Sequence, residues 1–563
     1  MDKKLFIIVV LAFFLRFYLL SVIPVGFNPD EASFGYDAYS IVKTGKDQWG
    51  HSWPLVLESF GDFKSPLYTY LAMPSVAMFD LSKFSVRLPN ALLGTAAVYI
   101  TYLLVTVLQK DIKNRSPITD NRSLASIAAL LLAISPWHIM MSRGAFEANL
   151  TTFLLPLGIY LFLKGLLKPK FFIGASIIFG LNIFTYHAAK LVTPVVLVSL
   201  IIVFLKDLKK FKRKEIVFPV IILSLFLTVF AYTLFQGSST RALDVIIFKS
   251  SLGASASERL NDTLSGMPDF LARLLHNKFQ VSVLRLANNY LQYFSPLFLF
   301  SQGPAEGTYG MIPGRGVLYW FELPFLIGAL AFILERRLNR YFLPFLVWLL
   351  VAPIPAALST GPGYAANRGV VMLPVLQIFL AVGFVKCLSF LNNGFLKSYK
   401  RLISIPFLFF SAYLFVMFLD DYFIQSPYKT AKARNYGNLE VAYWLNENAA
   451  DKDEIVVSTK LSEPHIYIAF AKKWDPKSYQ EATSAWRYQE LGLGWLDQMP
   501  EYKLGNYIFR PINWVSEDKD RFLVGKPEEF PENLSQKIIV SYPNNDPAIY
   551  VVTPQKHEYA KTY

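Results

Sequence analysis

Eleven apolar runs, most close to the twenty or so residues that a helix needs to cross a bilayer, decide what this chain can become. They lie near residues 5–24, 88–109, 124–141, 150–167, 171–186, 188–205, 215–235, 317–334, 341–358, 369–390 and 402–419. Hydrocarbon satisfies no backbone polar group, so runs of this kind fold as helices. The fifth and sixth together would overshoot one bilayer and read as a tight hairpin meeting at Thr185-Tyr186-His187. The first follows Met1-Asp2-Lys3-Lys4, and Val22-Ile23-Pro24 is a poor cleavage site, so it is expected to be a retained span and not a signal peptide. Charged residues make up only 17% of the 563, against about 25% in soluble proteins. The expected fold class is an α-helical polytopic membrane protein carrying a smaller soluble part.

Basic residues set the orientation. Lys and Arg gather in alternate connections: Lys110 to Arg122, Lys164 to Lys170, Lys206 to Lys214, Arg336 to Arg340, and Lys397 to Arg401. The short connections between them carry one each, Arg143, Lys190 and Arg368. Positive loops stay inside, so the N-terminus is expected in the cytoplasm. Loops 25–87 and 236–316 and the tail are then extracytoplasmic, in a multi-pass protein of the cell (plasma) membrane. The division that follows is a membrane domain over 1–419 and an extracytoplasmic domain over 420–563. In the latter, apolar runs shorten and Asp, Asn and Pro rise. Its mixed α/β character rests on a helical stretch at Glu440 to Asn446 and on short strand-like runs. Those runs are Ile455 to Ser458, Ile466 to Phe470, Tyr507 to Phe509, Lys537 to Val540 and Ile549 to Val552. In the first loop, Ser33 to Lys43 and Ser65 to Phe79 read as helices lying in the interface. The Gly-rich stretch Ser301 to Gly316 reads equally as a flap or as an ordered surface loop.

The same features exclude several functions. The net charge of +14 fits cytoplasmic loops and anionic lipid, since no basic stretch is interleaved with aromatics as a nucleic-acid module would be. A single cysteine, Cys387, rules out disulfides within the chain and cysteine metal sites. There is no P-loop and no GxGxxG between a strand and a helix, and no cytoplasmic segment is large enough to hold a nucleotide. An energy-rich donor therefore reaches this protein through the membrane, from the outer side.

The polar residues at the outer ends of the apolar runs are the candidates for chemistry, and each has a bland alternative. Asp30-Glu31, behind Asn28-Pro29, supplies a general base for a hydroxyl or ligands for a divalent cation; it equally opens a helix. Lys64 binds a phosphate as a point charge or snorkels to headgroups. Arg143 and Glu147, four apart, make a helix-face ion pair, or Glu147 is a further acid orienting acceptor or base. Tyr186-His187 at the hairpin tip, with Arg143, forms part of a substrate or metal site, or is interfacial. Arg368, after Gly361 to Asn367, neutralises a lipid phosphate or marks the interface. The metal requirement stays open, with a divalent ion as the one cofactor these residues accommodate. A transporter or flippase for a lipid-linked or amphiphilic solute is the competing class. It predicts inverted repeats and broken helices at mid-membrane, and the sequence shows neither.

Several of these residues stand in recognisable motifs. They are Asn28-Pro29-Asp30-Glu31 after the first span, Phe63-Lys64-Ser65-Pro66-Leu67-Tyr68, and Val86-Arg87-Leu88-Pro89-Asn90. Ser142-Arg143 with an acid shortly after, and Asn367-Arg368 with Pro374 inside the tenth span, complete the set. Over about residues 1–420 the chain resembles the GT-C glycosyltransferases of the protein O-mannosyltransferase and lipid A aminoarabinose transferase type (glycosyltransferase family 39 and relatives). The resemblance implies a polyprenyl-phosphate sugar donor and inverting transfer of a hexose or pentose to a hydroxyl of a protein, glycan or lipid of the cell envelope. It implies Asp30 as base with Glu31 as its partner. It also implies Lys64 on the donor phosphate, with Tyr68 in the same motif and Arg368 as a second phosphate contact. Glu147 stands where many members carry an aspartate. Lys64-Ser65-Pro66 departs from the more usual Lys-Pro-Pro.

Overall fold

The computed structural model describes residues 2–112, 121–235, 247–304, 306–335, 340–359, 365–392, 396–449, 453–534 and 537–554. Residues 236–246 of the expected second outer loop, most of the basic connection 110–122, the pair at 336–337 and the segment 361–364 ahead of Arg368 lie outside these.

Among the described residues, five helices are long and apolar enough to cross a membrane: Lys83–Leu108, Glu147–Gly165, His187–Leu208, Arg213–Thr233 and Lys397–Thr430. They make this an integral membrane protein. Shorter apolar helices, Ser123–Ile134, Phe171–Ile183, Trp320–Leu334 and Leu343–Ala357, occupy most of the other apolar runs. The tenth run is broken, against the sequence reading that saw no broken helix. Ala366–Met372 and Val375–Leu391 meet at 53°, across Pro374, which has no amide proton and cannot continue a helix. The helical segment 397–430 runs on through residue 420, and the chain leaves it for the C-terminal domain near Asn435 and Gly437, both with positive φ.

The first run is shorter than the 5–24 expected. Helix α1 spans Lys3–Phe17 and the chain then turns, with Leu19 at φ +53°. Two buried arginines take carbonyls that the lost helix would have bonded. Arg143 donates to Leu15 (2.8 Å) and Ile23 (2.9 Å). Arg87 donates to Leu20 (3.1 Å), Pro24 (3.1 Å) and Gly26 (2.9 Å).

Helix α2 (Pro29–Thr44) follows at once. Asn28 caps it, its Oδ1 accepting from the Glu31 amide at 2.8 Å, and Pro29 sits at the first position, where its missing N–H costs nothing. A two-strand hairpin, β1 (Leu57–Glu58) and β2 (Phe63–Lys64), carries Lys64 at its end. Helices α3 (Leu67–Phe79) and α4 (Lys83–Ile112) come next.

The C-terminal part is a six-stranded sheet in the order β4-β5-β3-β6-β8-β7, formed by β3 (Ile455–Val457), β4 (Tyr502–Leu504), β5 (Tyr507–Phe509), β6 (Phe522–Gly525), β7 (Ile538–Ser541) and β8 (Pro547–Val552). Strand β3 runs parallel to β5 and β6, and the remaining pairs are antiparallel. Ile466 to Phe470, expected as a strand, is instead in the helix Pro464–Lys472. Pro464 opens that helix, and a short, wholly buried apolar run has no periodicity that separates strand from helix.

This helix binds the sheet to the loop after α1. Tyr467 donates to the Phe27 carbonyl at 2.8 Å and Tyr36 of α2 to the Trp474 carbonyl at 2.9 Å. Gly35 allows the contact: a Cβ there would lie 2.5 Å from Val86 Cγ2 and 2.8 Å from Phe470 Cε2. Loop and C-terminal domain thus share one hydrophobic core.

Candidate active site

A cavity of about 430 Å3 opens where the ends of several helices meet the C-terminal domain. Six of the residues singled out from the sequence line it: Asp30, Lys64, Glu147, Tyr186, His187 and Arg368. They come from the first turn of α2, the end of β2, the start of the span at 147, the hairpin tip at 186–187 and the broken tenth run. The break at Pro374 is what separates the short Arg368 helix from the span behind it.

The central contact is an ion pair. Lys64 Nζ lies 2.6 Å from Asp30 Oδ1, with the lysine side chain 7% exposed and the aspartate 43%. The ammonium is flanked by the rings of Phe34 and Phe60, at 5.0 and 5.5 Å from their centroids. Asp30 thus keeps a face toward the cavity, while Lys64 is held in place by packing. On another wall, Arg368 donates to Ser359 Oγ at 2.5 Å and interacts with the Tyr186 hydroxyl, which also accepts from Asn367 Nδ2 at 3.2 Å. His187 Nδ1 lies 3.4 Å from Lys190 Nζ.

Three other residues lie outside the cavity lining. Glu31 is fully buried and binds Arg87 Nε at 2.9 Å, Arg434 Nη2 at 2.6 Å and the Ala145 amide at 3.0 Å. Burial alone would raise its carboxyl, but Arg87 and Arg434 hold it down at about 2. Its Oε2 also accepts from the Asn28 amide at 3.4 Å, so Glu31, and not Asp30, is the acid of the helix cap. Arg143 faces backbone carbonyls and the Phe423 ring (4.9 Å), and makes no ion pair with Glu147 among the described residues. Tyr68 is fully buried and donates to the Val86 carbonyl at 2.8 Å. The sequence spacing put these three beside the site residues; their side chains point the other way, into the scaffold.

The lining also holds residues that the sequence did not mark as candidates, among them Asp62 of the β1–β2 turn. Glu306 and Tyr309 come from the Gly-rich stretch, and Glu306 Oε2 accepts from the Ala366 amide at 3.1 Å. Burial raises the Glu306 carboxyl above its ordinary range, against the opposing charge of Arg368. The stretch is tied down, with Met311 and Ile312 buried and Arg434 donating to the Thr308 carbonyl at 2.7 Å. Glu306 is the only acid between Ser301 and Gly316, which was the available signal. Trp495, from the C-terminal domain, also lines the cavity, and no motif marked it.

The cavity acids do not make a metal centre as they stand. Asp30 is engaged by Lys64, and among the described residues the only grouping of three or more His, Cys, Asp or Glu with converging ligand atoms is elsewhere, in the C-terminal domain.

No family model and no curated protein sequence matches the chain. Solved structures do. The chain is similar to ArnT from Cupriavidus metallidurans in the apo state, at 12% identity and TM-score 0.50, over 98% of this chain and 99% of that one. It is similar to the Archaeoglobus fulgidus oligosaccharyltransferase tethered to an acceptor peptide containing the NVT sequon, at 14% identity and TM-score 0.51, over 93% of this chain and 68% of that one. Against the complex of that archaeal enzyme with zinc and sulfate (14% identity, TM-score 0.48), 84% of this chain spans only 61% of the relative's length. The fold is therefore that of the GT-C membrane enzymes.

Proposed function

We propose that this protein is a membrane glycosyltransferase that moves a sugar from a polyprenyl-phosphate donor to an acceptor hydroxyl on the extracytoplasmic face, by one inverting displacement. The observation that carries this reading is the Asp30–Lys64 pair at 2.6 Å in a cavity at the ends of apolar helices. A base and a phosphate-binding cation neutralise each other there until substrate arrives. The donor phosphate binds beside the fixed Lys64 ammonium and takes over its charge, and Asp30 is released to accept the acceptor's proton. The acceptor oxygen then bonds to the anomeric carbon as the bond from that carbon to the phosphate oxygen breaks. The electron pair leaves on the lipid phosphate, where Lys64 and Arg368 stabilise the growing negative charge. Glu147 and Glu306 orient the sugar and acceptor hydroxyls. Glu31, Arg143 and Tyr68 serve the scaffold. No step is routed through a metal ion.

The orientation belongs to the same proposal: eleven crossings, a cytoplasmic N-terminus, and residues 420–563 covering the catalytic face. The GT-C fold supports it, as do the apolar helices and the Trp495 contact with the cavity. The test is transfer of radiolabelled sugar from a polyprenyl-phosphate hexose or pentose to a mixed acceptor pool by purified protein. Wild type should transfer label, and folded, donor-binding Asp30→Asn should not. Equal transfer by both would remove Asp30 from the mechanism. Transfer by neither, from any donor, would end the glycosyltransferase reading.

A further inference from the structure

Behind the cavity wall, three side chains of the C-terminal domain converge. Glu463, His465 and Asp497 bring one ligand atom each to within 4.8 Å of one another. The chain is shaped to do this. Ser462 and Glu463 have φ of +59° and +54°, a region that residues with a Cβ rarely adopt. Pro464 then starts a helix that sets His465 beside them.

The hydrogen bonds leave a consistent set of open lone pairs. Asp497 Oδ2 accepts from the Glu463 amide at 2.6 Å, and its Oδ1 accepts from the Tyr502 hydroxyl at 2.6 Å. Tyr502 has then used its proton, so its oxygen accepts from His465 Nδ1, 3.1 Å away. That fixes the tautomer and leaves Nε2 as an acceptor. His465 is fully buried, and Nε2 has no partner; neither has the buried Oε2 of Glu463. Among the described residues, no lysine or arginine is ion-paired with Glu463 or Asp497. Buried acceptors without donors are rare because each forfeits its hydration. Two carboxylates and an imidazole form a donor set for a divalent transition ion, and a ring nitrogen anchored on its far side is the usual support of a metal-ligating histidine.

We propose that Glu463, His465 and Asp497 form a binding site for a divalent transition ion of the zinc type. Ligand atoms around tetrahedral zinc are roughly 3.4 Å apart, so modest side-chain rotations close the site. The site is separate from the Asp30–Lys64 pair but mechanically joined to it. The His465 ring packs edge-on to Phe60 at 5.1 Å, and the Leu496 amide donates to the Phe60 carbonyl at 3.2 Å. Gly61 has φ +120°, and a Cβ on it would lie 2.1 Å from the Gly494 carbonyl. The turn between β1 and β2 thus rests on the segment that carries Asp497, and β2 ends in Lys64. A bound ion stiffens the turn that presents Lys64.

The test is metal content of the full chain purified in detergent, stripped with EDTA, loaded with ZnCl2 and dialysed. Wild type should retain one zinc per chain and unfold at higher temperature with zinc than without. Glu463→Gln and His465→Gln should lose both the retained zinc and the thermal shift, whereas Asp30→Asn should keep both. Failure of wild type to retain zinc overturns the proposal without reference to any variant. So does equal retention by the isosteric Glu463→Gln. None of these readouts depends on sugar transfer.

Discussion

Removing the Glu31 carboxylate should destabilise the protein by several kcal/mol. In Glu31→Ala, Arg87 and Arg434 remain fully buried and lose the carboxylate between them. Breaking a buried pair by deleting one partner typically costs about 3–5 kcal/mol, because the remaining charge is left uncompensated. The carboxyl itself gives a similar figure. Its fall from an ordinary 4.5 to about 2 corresponds to about 3 kcal/mol at roughly 1.36 kcal/mol per pH unit. Since the folded state lowers this pKa, the contribution is complete above about 4.5 and is lost as pH falls toward 2. The assay is unfolding by SDS titration in mixed micelles, from pH 7 down to pH 3. Between pH 4.5 and 3 wild type should lose about 2 of these roughly 3 kcal/mol, while Glu31→Ala starts lower and lacks that component. Equal stability of the two proteins at pH 7 would refute the reasoning. So would a Glu31→Ala protein that is fully stable yet inactive, which would put Glu31 in the chemistry instead.

Other outcomes follow from the same geometry. Asp30→Asn should lower the transfer rate by about 10²–10⁴-fold, the usual worth of a general base. Its affinity for the donor lipid should hold or rise, since Lys64 is freed for phosphate; weakened lipid binding would count against the exchange of partners. Lys64→Ala should raise the donor KM with protein yield unchanged, and normal donor turnover would remove Lys64 from the site. Gly35→Val should loosen the docked C-terminal domain, because overpacking at 2.5–2.8 Å from Val86 and Phe470 costs about 1–3 kcal/mol. Faster limited proteolysis between residues 430 and 460 would report it, and unchanged cleavage would show that the contact is dispensable.

What the sequence determined by itself was the class of the chain. Twenty-residue apolar runs have few ways to satisfy their backbone in lipid, so helices spanning a membrane were legible without a fold. The positions of Asp30, Glu147, Tyr186, His187 and Arg368 near the ends of those runs, and of Lys64 just ahead of the shorter apolar stretch that forms Leu67–Phe79, were legible too, because polar residues there stand out against an apolar background. Only the tertiary structure decided which neighbours share a cavity. Asp30 and Glu31 are adjacent in sequence, but the roughly 100° between successive helical residues sends Asp30 to the cavity and Glu31 into a cage of arginines from 56 and 403 residues away. Glu306 and Trp495 reach the same cavity from a glycine-rich stretch and from a separate sheet domain, and no local pattern records an encounter that long-range packing creates. The helix at Pro464–Lys472 has the same cause. A buried apolar pentapeptide is compatible with either backbone, and its helical form follows from what it packs against: α2, the helix Asn438–Asn448, the Phe27 carbonyl and the Phe27 ring.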